Sequence, residues 1–95
     1  RTLKVLYVED DAKVRDSVLF MLENLFTNIE IAADGEEGYA KYLEFKKEND
    51  RYYDIVISDI NMPNMDGIEM SKLILSQDKA QNIIIISAHN NLDTL

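Results

Sequence analysis

The sequence predicts an α/β domain on a doubly wound parallel sheet, and three observations carry that reading. Strand-like and helix-like segments alternate strictly along the chain, which favours parallel strands joined by crossover helices. The runs LYV, IVI and IIII lack polar alternation, as expected of strands covered on both faces. Asn28 to Ala33 does alternate, which marks an edge strand. The order that follows places the second strand outside the first, with the third and fourth on the first strand's other side.

The elements follow in chain order. Leu3 to Val8 (LKVLYV) is a short apolar run rich in β-formers. Asp11 to Phe26 keeps a helical period, with Val14, Val18, Leu22 and Leu25 or Phe26 on one face. In Asn28 to Ala33, Ile29, Ile31 and Ala33 share a face and Glu30 lies opposite. Asp34-Gly35 is a turn signal. Glu36 to Glu48 reads as a helix whose inward stripe is Tyr39, Tyr42, Leu43 and Lys46. Asp54 to Ser58 is the third strand, and Asp59 to Gly67 is a polar loop with the only proline, Pro63. Ile68 to Ser76 is helical, with Ile68, Leu73, Ile74 and Leu75 apolar. Asn82 to Ser87 is the most apolar strand, and Asn90 to Leu95 resembles the start of another helix.

Composition narrows the function classes. Ten Lys and Arg against eighteen Asp and Glu leave a net charge of −8 over 95 residues. A hydrophobic share of 46% is too high for a disordered chain, and the length supports one core. Acidity with scattered cations argues against direct grip on nucleic-acid phosphates and fits attraction for cations or basic partners. The longest uninterrupted apolar stretch is Val18 to Leu22, too short to span a membrane. No basic segment followed by an apolar one opens the chain, and there is no Cys, so disulfides and thiolate chemistry are excluded. The expected location is cytoplasmic.

On a doubly wound sheet, ligands bind beyond the carboxyl ends of the strands, where strand order reverses. That point lies between the first and third strands. Glu9, Asp10 and Asp11 follow the first strand, Asp59 follows the third and Ser87 ends the fourth. The topology therefore gathers carboxylates and a hydroxyl that are far apart in sequence. Two carboxylates about 4 Å apart repel by about 4 kcal/mol at an effective dielectric near 20. Such a group either protonates one member or holds a cation. Oxygen ligands without Cys or a nearby His favour a hard ion, Mg²⁺ or Mn²⁺, and Mg²⁺ on this fold suggests phosphoryl chemistry. Simpler roles compete: Asp11 is a natural helix N-cap, Ser87 can be an ordinary strand-end hydroxyl, and His89 reads as a solvated loop residue. Asp59 to Asn64 fails the EF-hand pattern, with Pro63 and Asn64 where an acid or amide and a glycine are required. Neither G-x-G-x-x-G nor the P-loop motif is present.

Three segments together resemble the response-regulator receiver domain of two-component systems, of the chemotaxis-regulator type. They are VLYVEDD from Val5 to Asp11, DIVISDINMPNMDG from Asp54 to Gly67, and IIIISA from Ile83 to Ala88. MPNMDG is the most specific part, and Asp34-Gly35 sits where the family often has a DG turn. The resemblance spans the chain, taken as one domain over 1–95. It implies a flavodoxin-like (βα)5 fold in which the fifth strand and helix, with a conserved Lys and an aromatic switch residue, lie beyond Leu95.

By the same resemblance, Asp59 is the phosphoacceptor. Asp10 is a direct Mg²⁺ ligand, Glu9 acts through water, Asn61 gives its backbone carbonyl, and Ser87 is the switch hydroxyl. Asn61 and His89 hold the two variable positions that tune phosphoryl lifetime. Glu9 replaces the commoner Asp. The implied partner is a sensor histidine kinase or a phosphotransfer protein, with an output domain or target downstream. A dimer is also expected, through the apolar fourth-strand edge or through the C-terminal face that lies beyond Leu95. Two other readings compete. A haloacid-dehalogenase-like phosphatase wants a second acid two residues after its nucleophile, where this chain has Asn61. A pseudo-receiver that only mediates contacts would not need Asp10, Asp59 and Ser87 together.

Overall fold

The computed structural model describes residues 2–86; Ser87, His89 and the helix expected at 90–95 lie outside them. Strands β1 (Lys4–Val8), β2 (Asn28–Ala32), β3 (Ile55–Asp59) and β4 (Asn82–Ile86) alternate with helices α1 (Ala12–Leu22), α2 (Gly35–Asn49) and α3 (Gly67–Gln77). All pairings among the described residues are parallel, in the order β2-β1-β3-β4, as the alternation of elements and the edge texture of β2 predict. The central position of β1 explains its texture: Val5, Leu6, Tyr7 and Val8 are all fully buried.

Each face of the sheet has its own core. On one side Val5, Tyr7 and Ile57 pack with Val18 and Leu22 of α1 and with Phe26. On the other, Leu6, Val8 and Val56 meet Tyr42 of α2 and Met70 and Ile74 of α3. Burying one such side chain contributes roughly 1.5–3 kcal/mol. Gly38 lets α2 lie close to β1, since a Cβ there would stand 2.9 Å from Val8 Cγ2 and 2.8 Å from Met70 Sδ. Tyr42 stacks on Tyr52 at 4.8 Å, and its hydroxyl donates to Gln81 Oε1 at 2.7 Å, tying α2 to the start of β4.

Every helix starts at an aspartate. Asp11 accepts from Lys13 and Val14 N–H, Asp34 from Glu37 N–H, and Asp66 from Glu69 N–H. These caps satisfy amides that have no partner within the helix. Several details depart from the sequence reading. Helix α1 ends at Leu22, and the chain then tightens into turns in which Leu25 and Phe26 N–H donate to Leu22 O. That turn half-buries Phe26 and leaves Leu25 74% exposed. Strand β2 stops at Ala32, so Ala32 is buried and Ala33 exposed. Leu43 is 39% exposed, and Lys46 pairs with Asp50 and lies over Tyr52; Gly38 and Phe45 take the packing positions instead. In α3, where the sequence reading names apolar residues without assigning an inward face, Ile74 is buried with Met70 and Ile68, Leu73 and Leu75 are exposed. Strand β4 pairs with β3 alone among the described residues and leaves Ile84 48% exposed.

Candidate functional site

Parallel register builds the site. Val8 of β1 lies opposite Ser58 of β3, so the next residues, Glu9 and Asp59, leave the sheet side by side. Both are fully buried, whereas Asp10 is exposed. Carboxylate oxygens of Glu9, Asp10 and Asp59 all lie within 4.8 Å of one another. Three of the residues expected at the site are therefore brought together by the fold. At that spacing each ionised pair repels by about 3 kcal/mol at an effective dielectric near 20. An all-oxygen donor set of this kind fits a hard divalent cation.

Neighbouring groups hold the main chain that carries the carboxylates, and one of them reaches a carboxylate itself. Glu9 N–H donates to Ala32 O at 3.0 Å, and Glu9 Oε2 accepts from Asp11 N–H at 3.2 Å. Arg15 reaches back from α1, its Nη1 donating to Glu9 O at 2.9 Å. Ser58 Oγ donates to Asp59 O at 2.7 Å. Gly67 N–H closes the following loop onto Ile60 O at 2.7 Å, and a Cβ at Gly67 would run into Asp59 O, so the chain can return this tightly only with glycine there. Asn61 is exposed on that loop, two residues after Asp59. Asp11 faces its helix, with Oδ1 accepting from Lys13 N–H at 2.9 Å and Val14 N–H at 3.1 Å.

Two neighbours of the acidic group were not anticipated. Arg15 lies six residues beyond Glu9 in sequence, and only its reach back over the first turn of α1 makes it part of the site. Tyr7 precedes the acids in β1 and reads as an ordinary core aromatic. Its hydroxyl is buried with no hydrogen-bond partner among the described residues. Burial, then the negative charges of Glu9 and Asp59, push the Tyr7 phenol far above its ordinary range, with Arg15 opposing them.

The family described as "Response regulator receiver domain" matches residues 5–95. Among solved structures, the chain is similar to chemotaxis protein CheY4 of Vibrio cholerae, with 31% identity and a TM-score of 0.78 over 99% of this chain and 75% of that one. It is also similar to the CheX-CheY-BeF3-Mg²⁺ complex from Borrelia burgdorferi, with 35% identity and a TM-score of 0.74 over 97% of this chain and 66% of that one. Over 85 residues it is 36% identical to transcriptional regulatory protein ResD of Bacillus subtilis, covering 90% of this chain and 32% of that protein. Over 90 residues it is 34% identical to two-component response regulator ARR12 of Arabidopsis thaliana, covering 94% of this chain and 14% of that protein. The chain thus spans a third or less of these two curated relatives.

Proposed function

The chain belongs to the response regulator receiver family of two-component signalling, whose general function is to accept a phosphoryl group, and on that premise we propose that Asp59 is the phosphoacceptor. One observation carries the assignment: Asp59 is fully buried at the end of β3 and shares its position with Glu9 and Asp10 within 4.8 Å. In the proposed step an Asp59 carboxylate oxygen attacks the phosphorus of a partner's phosphohistidine. The new O–P bond forms as the P–N bond breaks, and the imidazole leaves with the electron pair and takes up a proton. The partner is a histidine kinase or a phosphotransfer protein.

Asp10, Asp59 and the backbone carbonyl of Asn61 would hold a Mg²⁺, with Glu9 acting through water. A bound Mg²⁺ offsets charge on the attacking carboxylate and the phosphoryl oxygens. Arg15 fixes the main chain at Glu9, which keeps the acidic pair in register with Asp59. Ser87 follows β4 directly in sequence, and we assign it the hydroxyl that donates to the new phosphoryl group and biases a two-state switch.

A receiver is a signalling domain rather than an enzyme acting on outside substrates. The relative named protein-glutamate methylesterase in Anaeromyxobacter dehalogenans has only 25% of its length covered by this chain, so its remaining length lies outside the match. A phosphatase of the haloacid-dehalogenase kind is disfavoured, because Asn61 has no titratable proton with which to act as general acid. We place the chain in the cytoplasm; with no Cys it carries no disulfide that would call for an oxidising compartment. Among the described residues no helix is long and apolar enough to cross a membrane.

The test is phosphoryl uptake. Incubated with acetyl phosphate, the chain should gain one phosphoryl group by intact mass with Mg²⁺ present and none with the metal chelated. Asp59→Asn should gain none under either condition. Equal labelling of wild type and Asp59→Asn would refute the assignment.

A further inference from the structure

The loop between β3 and α3, from Ile60 to Asp66, is held at two places. At its neck, Gly67 N–H meets Ile60 O. At its tip, Met65 N–H donates to Pro63 O at 2.7 Å around Asn64, whose φ is +69°. A three-residue turn with positive φ at its centre is the rare, strained member of its class. Such strain persists only where the surroundings over-determine it.

Here the surroundings are the turn after β2. Asn64 Nδ2 donates to Asp34 Oδ2 at 2.8 Å, and Gly35 N–H donates to Met65 O at 3.1 Å. Asp34 thus works at both ends: its other oxygen, Oδ1, accepts from Glu37 N–H at 2.8 Å and caps α2. The Glu37 amide and then the Asn64 side chain hold the Asp34 carboxyl below its usual range. The two segments touch so closely that a Cβ at Gly35 would run into Met65 O.

We propose that Asp34 and Asn64 form a latch that fixes the direction of the loop carrying Asn61, and so sets the affinity of the cation site. They are positioning residues for phosphoryl transfer, and the inference rests on the assignment of the Asn61 carbonyl to that cation. Asn61 lies between the neck and the tip, and its side chain is exposed, so packing of that side chain does not orient its peptide. Met62 and Met65 pack against the core and keep the loop near the sheet. Apolar contacts are not directional, however, and do not aim a carbonyl. Mg²⁺ demands near-ideal octahedral geometry, so a loop free to rotate a ligand peptide holds it less well.

The experiment is calorimetric titration of the chain with Mg²⁺ alone, alongside thermal melting. Asn64→Gly keeps the positive φ and deletes the donor. Asp34→Ser keeps an acceptor for the helix cap and withdraws the oxygen that Asn64 reaches. Each should raise the Mg²⁺ Kd about three- to ten-fold, below the roughly 10–100-fold typical of losing a ligand's own hydrogen-bond partner. The double variant should bind no more weakly than the weaker single one, since both remove the same contact. Wild-type affinity in both single variants, with binding lost in Asp10→Asn, would overturn the latch and leave the cation site standing. Additive losses would also overturn it. Wild-type affinity in Asp10→Asn would instead overturn the site assignment, and the latch with it.

Discussion

Asp10 and Asp11 are adjacent in sequence, yet the fold gives them different work. Asp11 turns its carboxylate onto the first amides of α1, while Asp10 offers an oxygen to the group it shares with Glu9 and Asp59. Asp10→Asn should therefore weaken Mg²⁺ binding at least ten-fold, roughly the scale of losing one charged ligand interaction. Asp11→Asn keeps a capping oxygen and should leave affinity within about two-fold. Calorimetry checks both, and equal losses would place the pocket one residue off. Burial also sets the behaviour of three tyrosines. Tyr7 and Tyr42 are pushed far upward, and burial with the charges of Glu30, Glu44 and Glu48 pushes Tyr53 up to about 12. Each keeps its proton in the folded chain where the unfolded chain, at the ordinary value of 10.0, has released it. The stabilisation is whole below pH 10; the part from Tyr53 is lost as pH rises from there through 12, and the parts from Tyr7 and Tyr42 are lost over a window that extends higher. Phenolate absorbance of these three should grow only as the far-UV dichroism of the fold disappears; full phenolate signal from a folded chain would contradict this. The acids were legible in sequence because an apolar strand running straight into carboxylates marks the carboxyl end of the sheet. Arg15, Tyr7 and the Asp34–Asn64 contact were not, since each depends on where a side chain reaches across the fold.

Among the elements, strands were easier to read than helix faces. A period of two in a strand, or its absence, survives small errors of boundary, and the alternating texture of β2 together with the doubly wound arrangement predicts the order β2-β1-β3-β4. Helix faces depend on packing against a particular neighbour. In α2, Leu43 suits an inward stripe by hydropathy, but the close approach is made by Gly38, which hydropathy cannot signal. That contact gives a direct test. Gly38→Ala puts a methyl against Val8 and Met70, and helix propensity alone would favour the change. Met70 is flexible and can shift, but Val8 sits in the fully buried central strand. Net destabilisation of about 1–3 kcal/mol is expected from chemical denaturation. A variant as stable as wild type would show that α2 can stand further from β1 than the structure places it.

At the scale of the whole molecule, the design is a sheet whose strand order brings acids from distant segments to one end while two apolar layers fix their positions. Residues 9, 10 and 59 owe their meeting to β1 and β3 being neighbours, and that adjacency is enforced by the cores on both faces. The net charge of −8 adds to the repulsion at the site and raises the attraction of the whole chain for cations and basic partners. Opposite faces of β4 present Ile84 and Ile85, apolar surface of the kind that helices packed on each face of a parallel sheet cover. On this architecture we propose that Asp59, and no other carboxylate, takes the phosphoryl group. Borohydride reduction of the phosphorylated chain, followed by peptide mapping, tests it most directly, because an acyl phosphate is reduced to the alcohol and leaves homoserine where the aspartate stood. Homoserine is expected at position 59 alone and only when Mg²⁺ was present; reduction at Glu9 or Asp10, or none at any position, would refute the assignment of Asp59.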